Sequence, residues 1–150
     1  MPLQFRTVQL ASARQPGEGL RIGTVRRPPR GVPKSQYRER NLLDVWLPIL
    51  APSQALLTAF LKTELSPKSF FRRYRAEMAQ TEPRQVIQLL AELAQRTALS
   101  IGCFCDDESR CHRAILAELI REAAGEPATR PVTATRARSH KKKRAPANRL

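Results

Sequence analysis

The fold is decided by the stretch Ala98-Leu99-Ser100-Ile101-Gly102-Cys103-Phe104-Cys105, which is nearly continuous in apolar residues. A run of this length and composition is typical of a strand in the middle of a covered sheet. A helical pattern follows, in which Ile115, Leu116, Leu119 and Ile120 are spaced to form one apolar face. The sequence therefore predicts an α/β domain whose central strand leads into a helix.

Shorter strands are predicted earlier in the chain. Residues 3–10 alternate apolar and polar side chains, as a half-buried strand does, and residues 20–25 form a second candidate. Several prolines between residues 28 and 33 then exclude regular structure. Residues 42–50 are an apolar run broken by Pro48, which indicates a buried extended segment or a turn of helix.

Four helices are indicated by their start signals. Ser53 and Ser66 are suited to capping two of them, and Pro67 is suited to the first helical position of the second. Pro83 is expected to open the third helix, and Ser109 to cap the last. We predict a small, at least partly parallel sheet of about three or four strands, packed with about four helices in Rossmann-like layering.

The net charge of +14 is unevenly distributed. Residues 126–150 contain eight Lys or Arg and one Glu, so they contribute +7, and they include the run His140-Lys141-Lys142-Lys143-Arg144. This segment has too little apolar surface to offset the entropy of ordering. We predict a domain over residues 1–125 and a disordered basic tail over 126–150, which would attract polyanions such as nucleic acid.

Several protein classes are excluded by composition. No segment approaches the ~20 apolar residues of a membrane span, and the N-terminus lacks the apolar core of a secretory signal. Three cysteines are an odd number and suggest no framework of disulfides. We therefore expect a cytoplasmic protein without a membrane partner. The sequence does not identify a cofactor or an oligomeric state.

Several motifs together resemble the domain of unknown function 488 family, and more narrowly its YeaO-like branch. They are Arg27-Pro28-Pro29-Arg30-Gly31-Val32-Pro33-Lys34, Asp44-Val45-Trp46-Leu47-Pro48, Leu50-Ala51-Pro52-Ser53, the run Phe70 to Met78, and Cys103 to Arg113. The resemblance covers roughly residues 3–124 and implies a compact cytoplasmic α/β domain. Members similar to this chain often have cysteines and a Cys-His-Arg at the last strand–helix junction. The resemblance implies no defined reaction.

The junction itself is rich in reactive side chains. Cys105, Cys111 and His112 are the candidate catalytic residues, because a thiol at a helix N-terminus near Arg110 and Arg113 has a lowered pKa. The alternative is that the cysteines are simply small buried hydrophobic residues. The acidic residues 106–108 are interpreted as complementing the helix dipole, with a general base or a magnesium site as the alternative.

Two other chemistries use residue types that are present at the junction. The side chains of Cys103, Cys105, Cys111 and His112 could supply four ligands to zinc or an iron–sulfur centre, but the spacing C-x-C-x5-C-H differs from that of paired zinc knuckles, so a metal is not favoured. A phosphatase cradle needs an arginine six residues after the thiolate, and neither Cys103 nor Cys105 has one.

Ligands of open α/β sheets collect at the carboxyl ends of parallel strands. If the second and last strands are parallel, Arg30 and Lys34 would share one mouth with the cysteine junction and, with Arg110 and Arg113, bind an anion such as phosphate. The alternative is that these basic residues only pair with surface carboxylates. Two functions follow: a small enzyme acting on an anionic substrate, or a non-catalytic protein that binds nucleic acid through its basic loop and tail.

Overall fold

The computed structural model describes residues 3–126, which include nearly all of the predicted domain. The predicted tail lies outside the described residues from position 127 onward. Four strands and four helices are present in this range, interspersed with short 3-10 turns. The strands are β1 (Phe5–Gln9), β2 (Leu20–Gly23), β3 (Val45–Trp46) and β4 (Leu99–Cys103). The helices are α1 (Gln54–Leu61), α2 (Pro67–Met78), α3 (Thr81–Ala94) and α4 (His112–Ala123).

The sheet has the order β1-β4-β2-β3, and all of its neighbouring strands are parallel. The prediction of an α/β fold with β4 at the centre is confirmed, since β4 pairs with β1 on one side and β2 on the other. All five residues of β4 are buried. The register sets Ile22 opposite Ile101 and Gly23 opposite Gly102.

One core cluster joins all four helices to the sheet. It contains Ile22, Leu99 and Ile101 from the strands together with buried side chains from each helix. The opposite face of the sheet is covered by loop residues, and there the paired glycines leave room for leucines. A Cβ on Gly102 would lie 2.5 Å from Leu10, and one on Gly23 would lie 2.4 Å from Leu43.

The first two helices begin as the sequence predicts. The side chains of Ser53 and Ser66 accept hydrogen bonds from backbone N–H groups in the first turns of α1 and α2. The predicted start of α3 is late by two residues, because Thr81 and not Pro83 opens the helix. Proline is tolerated anywhere in the first turn, where its missing N–H has no intrahelical partner, so it does not fix the first residue.

The predicted cap of the last helix is wrong. Helix α4 is preceded by a 3-10 turn over Glu108–Arg110, and its N-cap is Cys111. Ser109 instead lies inside the turn, where its N–H and hydroxyl both donate to Asp107. The acidic side chain therefore caps the turn rather than the helix. No helix in residues 3–126 has the length and apolar character needed to cross a membrane.

Candidate active site

The candidate site lies at the carboxyl ends of β2 and β4. Strand β4 ends at Cys103, and the segment that follows returns to the start of α4 at His112. Because β2 is the parallel neighbour of β4, the residues after Gly23 leave the sheet beside Cys103. Thr24 shows this directly, since its N–H donates to the carbonyl of Gly102 at 2.9 Å. This is the edge at which open α/β sheets bind ligands.

Three free thiols cluster at this edge. The Sγ atoms of Cys103 and Cys105 are 3.6 Å apart. Cys103 and Cys111 are buried, whereas Cys105 is exposed. The backbone therefore brings together sulfur atoms that the sequence separates by up to eight positions.

His112 is buried, and its ring orientation is fixed by hydrogen bonds. Its Nε2 lies 2.7 Å from the carbonyl oxygen of Thr24, and its Nδ1 lies 3.7 Å from Sγ of Cys111. Burial lowers the pKa of His112 to about 4, so the ring is neutral near pH 7. A carbonyl oxygen only accepts, so Nε2 carries the proton and Nδ1 presents a lone pair to Cys111.

Arg113 is also buried, with 4% of its surface exposed. One of its terminal nitrogens donates to the carbonyl of Cys105 at 2.7 Å and to that of Cys103 at 3.3 Å, and lies 4.0 Å from Sγ of Cys111. Its Nε has no hydrogen-bond partner. Within residues 3–126, no carboxylate forms an ion pair with this guanidinium. A positive charge therefore lies beside the thiols without a conventional counter-ion.

The three thiols differ in acidity because they share hydrogen bonds. Hydrogen bonds from Cys105 and Cys111, aided by the charge of Arg113, lower the pKa of Cys103. The pKa of Cys105 and that of Cys111 are raised, and the largest cause for each is its hydrogen bond with Cys103. Cys103 is therefore the thiol of this cluster that loses its proton most readily.

A cavity of about 340 Å³ opens onto this cluster. All three cysteines and His112 line it. Apolar side chains form much of its wall: Val25, Pro52, Leu57, Phe60, Leu61, Phe70 and Phe104. Arg26, Arg27 and Arg110 also line it. The cavity thus combines an apolar wall, a thiol-rich floor and three cationic groups.

The predicted anion-binding residues are only partly brought together. Arg110 lines the cysteine cavity, as the predicted mouth requires. Lys34 lines a different cavity of about 630 Å³ near Trp46, and Arg30 lines neither cavity. Arg113 does not line the cysteine cavity, because it is held beneath it by backbone carbonyls. The long Pro-rich loop carries Arg30 and Lys34 away from the junction.

Other residues of the site were not singled out as such from the sequence. Arg26 and Arg27 line the cavity in place of Arg30 and Lys34, and the backbone of Thr24 orients His112. The sequence did contain a signal for these residues, namely that they follow the second strand closely. Residues immediately after a strand stay close to the carboxyl end of the neighbouring parallel strand. Cys103 is not among the catalytic residues predicted from the sequence, yet it is the thiol with the lowered pKa.

The buried ligand atoms of Cys103, Cys111 and His112 all lie within 4.8 Å of one another, which would allow a metal ion to be held between them. The acidic residues of the junction are directed elsewhere. Asp106, Asp107 and Glu108 are exposed and do not line the cysteine cavity. Glu108 accepts a hydrogen bond from Thr7 in β1.

A family model described as the active DUF488-N3 subclade matches residues 5–124, which include the whole sheet, all four helices and the junction. The chain belongs to the DUF488 family. The resemblance noted in the sequence is thereby confirmed at family level, and the YeaO-like branch stays a prediction. No curated protein and no solved structure matched the chain in the corresponding searches. The Cys-His-Arg of this DUF488 chain is therefore interpreted from its own geometry.

Proposed function

We propose that this DUF488 protein is a small enzyme that binds an anionic, phosphate-containing ligand in the cysteine cavity and acts on it with a cysteine thiolate. The observation that carries the proposal is the buried guanidinium of Arg113, which has no carboxylate partner among the described residues. A charge that is both buried and unpaired costs several kcal/mol, so it requires an anion nearby.

A thiolate is the anion that these contacts favour. Arg113 donates to the carbonyls of Cys103 and Cys105, and one of its terminal nitrogens lies 4.0 Å from Sγ of Cys111. Its positive charge also contributes to the lowered pKa of Cys103. The pKa of Cys103 is the one that is lowered. Thiolates are the nucleophilic form of cysteine, and one that is stabilised by an adjacent cation is available at neutral pH.

The cavity favours a ligand with both an anionic and an apolar part. Arg26 is held in place because its Nε donates to the carbonyl of Pro52 at 3.0 Å and a terminal nitrogen donates to that of Ala51 at 3.2 Å. Arg27 and Arg110 are exposed and free to move towards a ligand. The volume of about 340 Å³ falls within the range of small-molecule sites.

Distinct roles follow for the thiols and the imidazole. Cys103 would carry the nucleophilic charge, and the exposed thiol of Cys105 would stabilise it through the 3.6 Å contact. Cys111 would hold its proton towards Nδ1 of His112, which is neutral and unprotonated at that nitrogen. This pair would thereby act as a proton store beside the reacting sulfur, and the arginines would hold the anion.

The proposal is tested by measuring thiol reactivity against pH in the metal-free, reduced protein. One thiol should react with iodoacetamide well below the pKa of about 8.5 of an ordinary cysteine. That fast phase should be absent in Cys103→Ser and present in the matched variant Cys111→Ser. Inorganic phosphate, or a nucleoside monophosphate as a larger probe, should slow it by occupying the cavity. Ordinary reactivity of all three thiols would refute the proposed enzyme.

A further inference from the structure

Four potential ligand atoms of a metal ion converge at the floor of the cysteine cavity. Nδ1 of His112 lies 3.7 Å from Sγ of Cys111, and Sγ of Cys103 lies 3.6 Å from Sγ of Cys105. The three buried members of this set also lie within 4.8 Å of one another. Three thiols and one imidazole are a donor set that zinc prefers.

The spacing of these atoms suits tetrahedral coordination. Zinc–sulfur bonds of about 2.3 Å and zinc–nitrogen bonds of about 2.0–2.1 Å place two sulfurs about 3.8 Å apart, and a sulfur and a nitrogen about 3.6 Å apart. The observed distances of 3.6 Å for the Cys103–Cys105 pair and 3.7 Å for the Cys111–His112 pair are within about 0.2 Å of these values. These two pairs therefore already have the separations of tetrahedral ligands. Cys105 is not among the three residues whose ligand atoms lie within 4.8 Å of one another, so its exposed side chain would move towards Cys111 and His112 on binding.

The imidazole is already oriented as a ligand. Metal-binding histidines almost always donate their other ring N–H to a carbonyl or carboxylate, which fixes the tautomer. In this protein Nε2 of His112 has that contact at 2.7 Å with the carbonyl oxygen of Thr24. The unprotonated Nδ1 is thus left facing the sulfur cluster, where a ligand nitrogen must be.

The charges also balance around a divalent ion. Three thiolates, one neutral imidazole and one Zn²⁺ together carry a charge of −1. The buried guanidinium of Arg113 supplies +1, and one of its nitrogens lies 4.0 Å from Sγ of Cys111. A neutral buried assembly avoids the desolvation penalty that an uncompensated charge would carry.

We propose that Cys103, Cys105, Cys111 and His112 bind one zinc ion in a tetrahedral site. The inference goes beyond the proposed function and does not rest on it, because it depends on ligand geometry and not on thiol reactivity. Zinc binding and thiolate attack would be mutually exclusive, since a sulfur that coordinates the ion is no longer free to attack a substrate. Metal loading would then switch the enzyme off.

Cobalt provides the direct test, because Co²⁺ replaces zinc in tetrahedral sites and its bonds to sulfur absorb light. The full-length protein, reduced and freed of metal, is titrated with Co²⁺. Sulfur-to-cobalt absorption and visible bands of tetrahedral Co²⁺ should saturate at one ion per chain, and added Zn²⁺ should abolish them. The chain has only three cysteines, all in this cluster, so the sulfur band reports on this site alone.

Variants separate the ligands from their neighbours. Cys105→Ser, Cys111→Ser and His112→Gln should each weaken cobalt binding by more than the roughly 10–100-fold that loss of a second-shell partner costs. Asp106→Asn changes an exposed carboxylate in the same loop and should bind cobalt normally. Because Cys105 is exposed, its replacement by serine is the change least able to disturb folding, which circular dichroism verifies.

The result that would overturn the inference is an absence of sulfur-to-cobalt absorption in the reduced protein. Binding left unchanged by both Cys105→Ser and Cys111→Ser would also overturn it. The proposed function fails separately, through ordinary thiol reactivity in the metal-free protein. If zinc binds as proposed and the thiolate exists, stoichiometric Zn²⁺ should suppress the fast alkylation that the metal-free protein shows.

Discussion

Two arginines are almost completely buried in this fold, and their surroundings differ. Arg21 is 0% exposed and Arg113 is 4% exposed. Nε of Arg21 lies 2.5 Å from one carboxylate oxygen of Glu18, and a terminal nitrogen lies 2.9 Å from the other. Its remaining terminal nitrogen donates to the carbonyls of Ser12 and Asn41. Arg113 has no such carboxylate within the described part of the chain, and its neighbours are carbonyls and thiols.

The difference separates a structural charge from one suited to function. The Arg21–Glu18 pair is complete, so it fixes the loop before β2 and leaves no capacity for chemistry. The charge of Arg113 is balanced in one of three ways: a thiol loses its proton, an anion binds, or a metal–thiolate assembly forms. A buried charge without a carboxylate partner, such as that of Arg113, is typical of reactive sites.

The largest expected effect comes from breaking the structural pair. Glu18→Gln should destabilise the protein by about 3–5 kcal/mol, because the buried guanidinium of Arg21 would lose its counter-charge. Denaturant unfolding at pH 7 measures this change. The matched exposed change Glu122→Gln should cost far less, since its contact with Arg75 lies at the surface. Equal effects of the two substitutions would contradict the distinction.

The pH dependence of stability tests whether the imidazole of His112, next to Arg113, is buried in its neutral form. The pKa of His112 is about 4 in the folded protein, below the 6.5 of a free histidine, so the unfolded chain binds the extra proton first. This pKa difference contributes about 3 kcal/mol to the free energy of unfolding. The contribution is fully present above pH 6.5 and is lost as the pH falls towards 4. His112→Gln should flatten this part of the stability curve.

Two controls isolate the His112 effect. The lowered pKa of Cys103 gives a slope of the same sign over a wider range, so Cys103→Ser serves as the matched comparison. Desolvation alone would raise the pKa of Glu18, but the hydrogen bonds from Arg21, Gln15 and Ser100 together with the charge of Arg21 lower it. The contribution of Glu18 to stability is therefore present above about pH 4.5 and is lost in more acidic solution. A stability curve of His112→Gln that parallels the wild type between pH 6.5 and 4 would show that the imidazole is not buried in its neutral form.

A smaller effect is expected from removing the second buried arginine. Arg113→Met should raise the pKa of the reactive thiol, because the charge of Arg113 is one of the causes that lower the pKa of Cys103. The midpoint of the alkylation rate against pH should then move upward by about one pH unit. Arg113→Lys keeps the charge and should retain much of the reactivity.

The free energy of unfolding also distinguishes Arg113 from Arg21. Arg113→Met should destabilise the protein less than Glu18→Gln, because Cys103 can take up a proton when the cation is removed, whereas Arg21 stays charged. A reactivity profile of Arg113→Met that is identical to the wild type would indicate that Arg113 is structural, like Arg21.

The smallest effect on stability is expected at the rim of the cysteine cavity. Arg110 is exposed and takes part in none of the ion pairs of the described chain, so Arg110→Gln should change the free energy of unfolding by less than about 0.5 kcal/mol. It should nevertheless reduce the protection that phosphate gives against alkylation. Lys34→Gln is the matched control, because Lys34 lines the other cavity. Equal loss of protection in both variants would place the anion elsewhere.

The sequence alone was sufficient for strands β1, β2 and β4, for the four helices and for their order along the chain. The apolar run of β4 predicted its central position, and Ser53 and Ser66 located the starts of α1 and α2, because strand burial and capping depend on residues close together in sequence. The clustering of candidate chemistry after β4 was visible for the same reason. Local signals were less exact at α4, where a 3-10 turn intervenes and Cys111 replaces Ser109 as the cap.

Only the tertiary structure decided which charges meet the thiols. Arg26 and Arg27 lie at the cysteine cavity and Lys34 does not, because the path of the Pro-rich loop depends on packing and not on local pattern. The sequence likewise could not show that Arg113 points inward without a carboxylate, or that Thr24 fixes the His112 ring. Acidity and ligand geometry depend on distances across the sheet, and these exist only once parallel β2 and β4 bring separate segments to one edge.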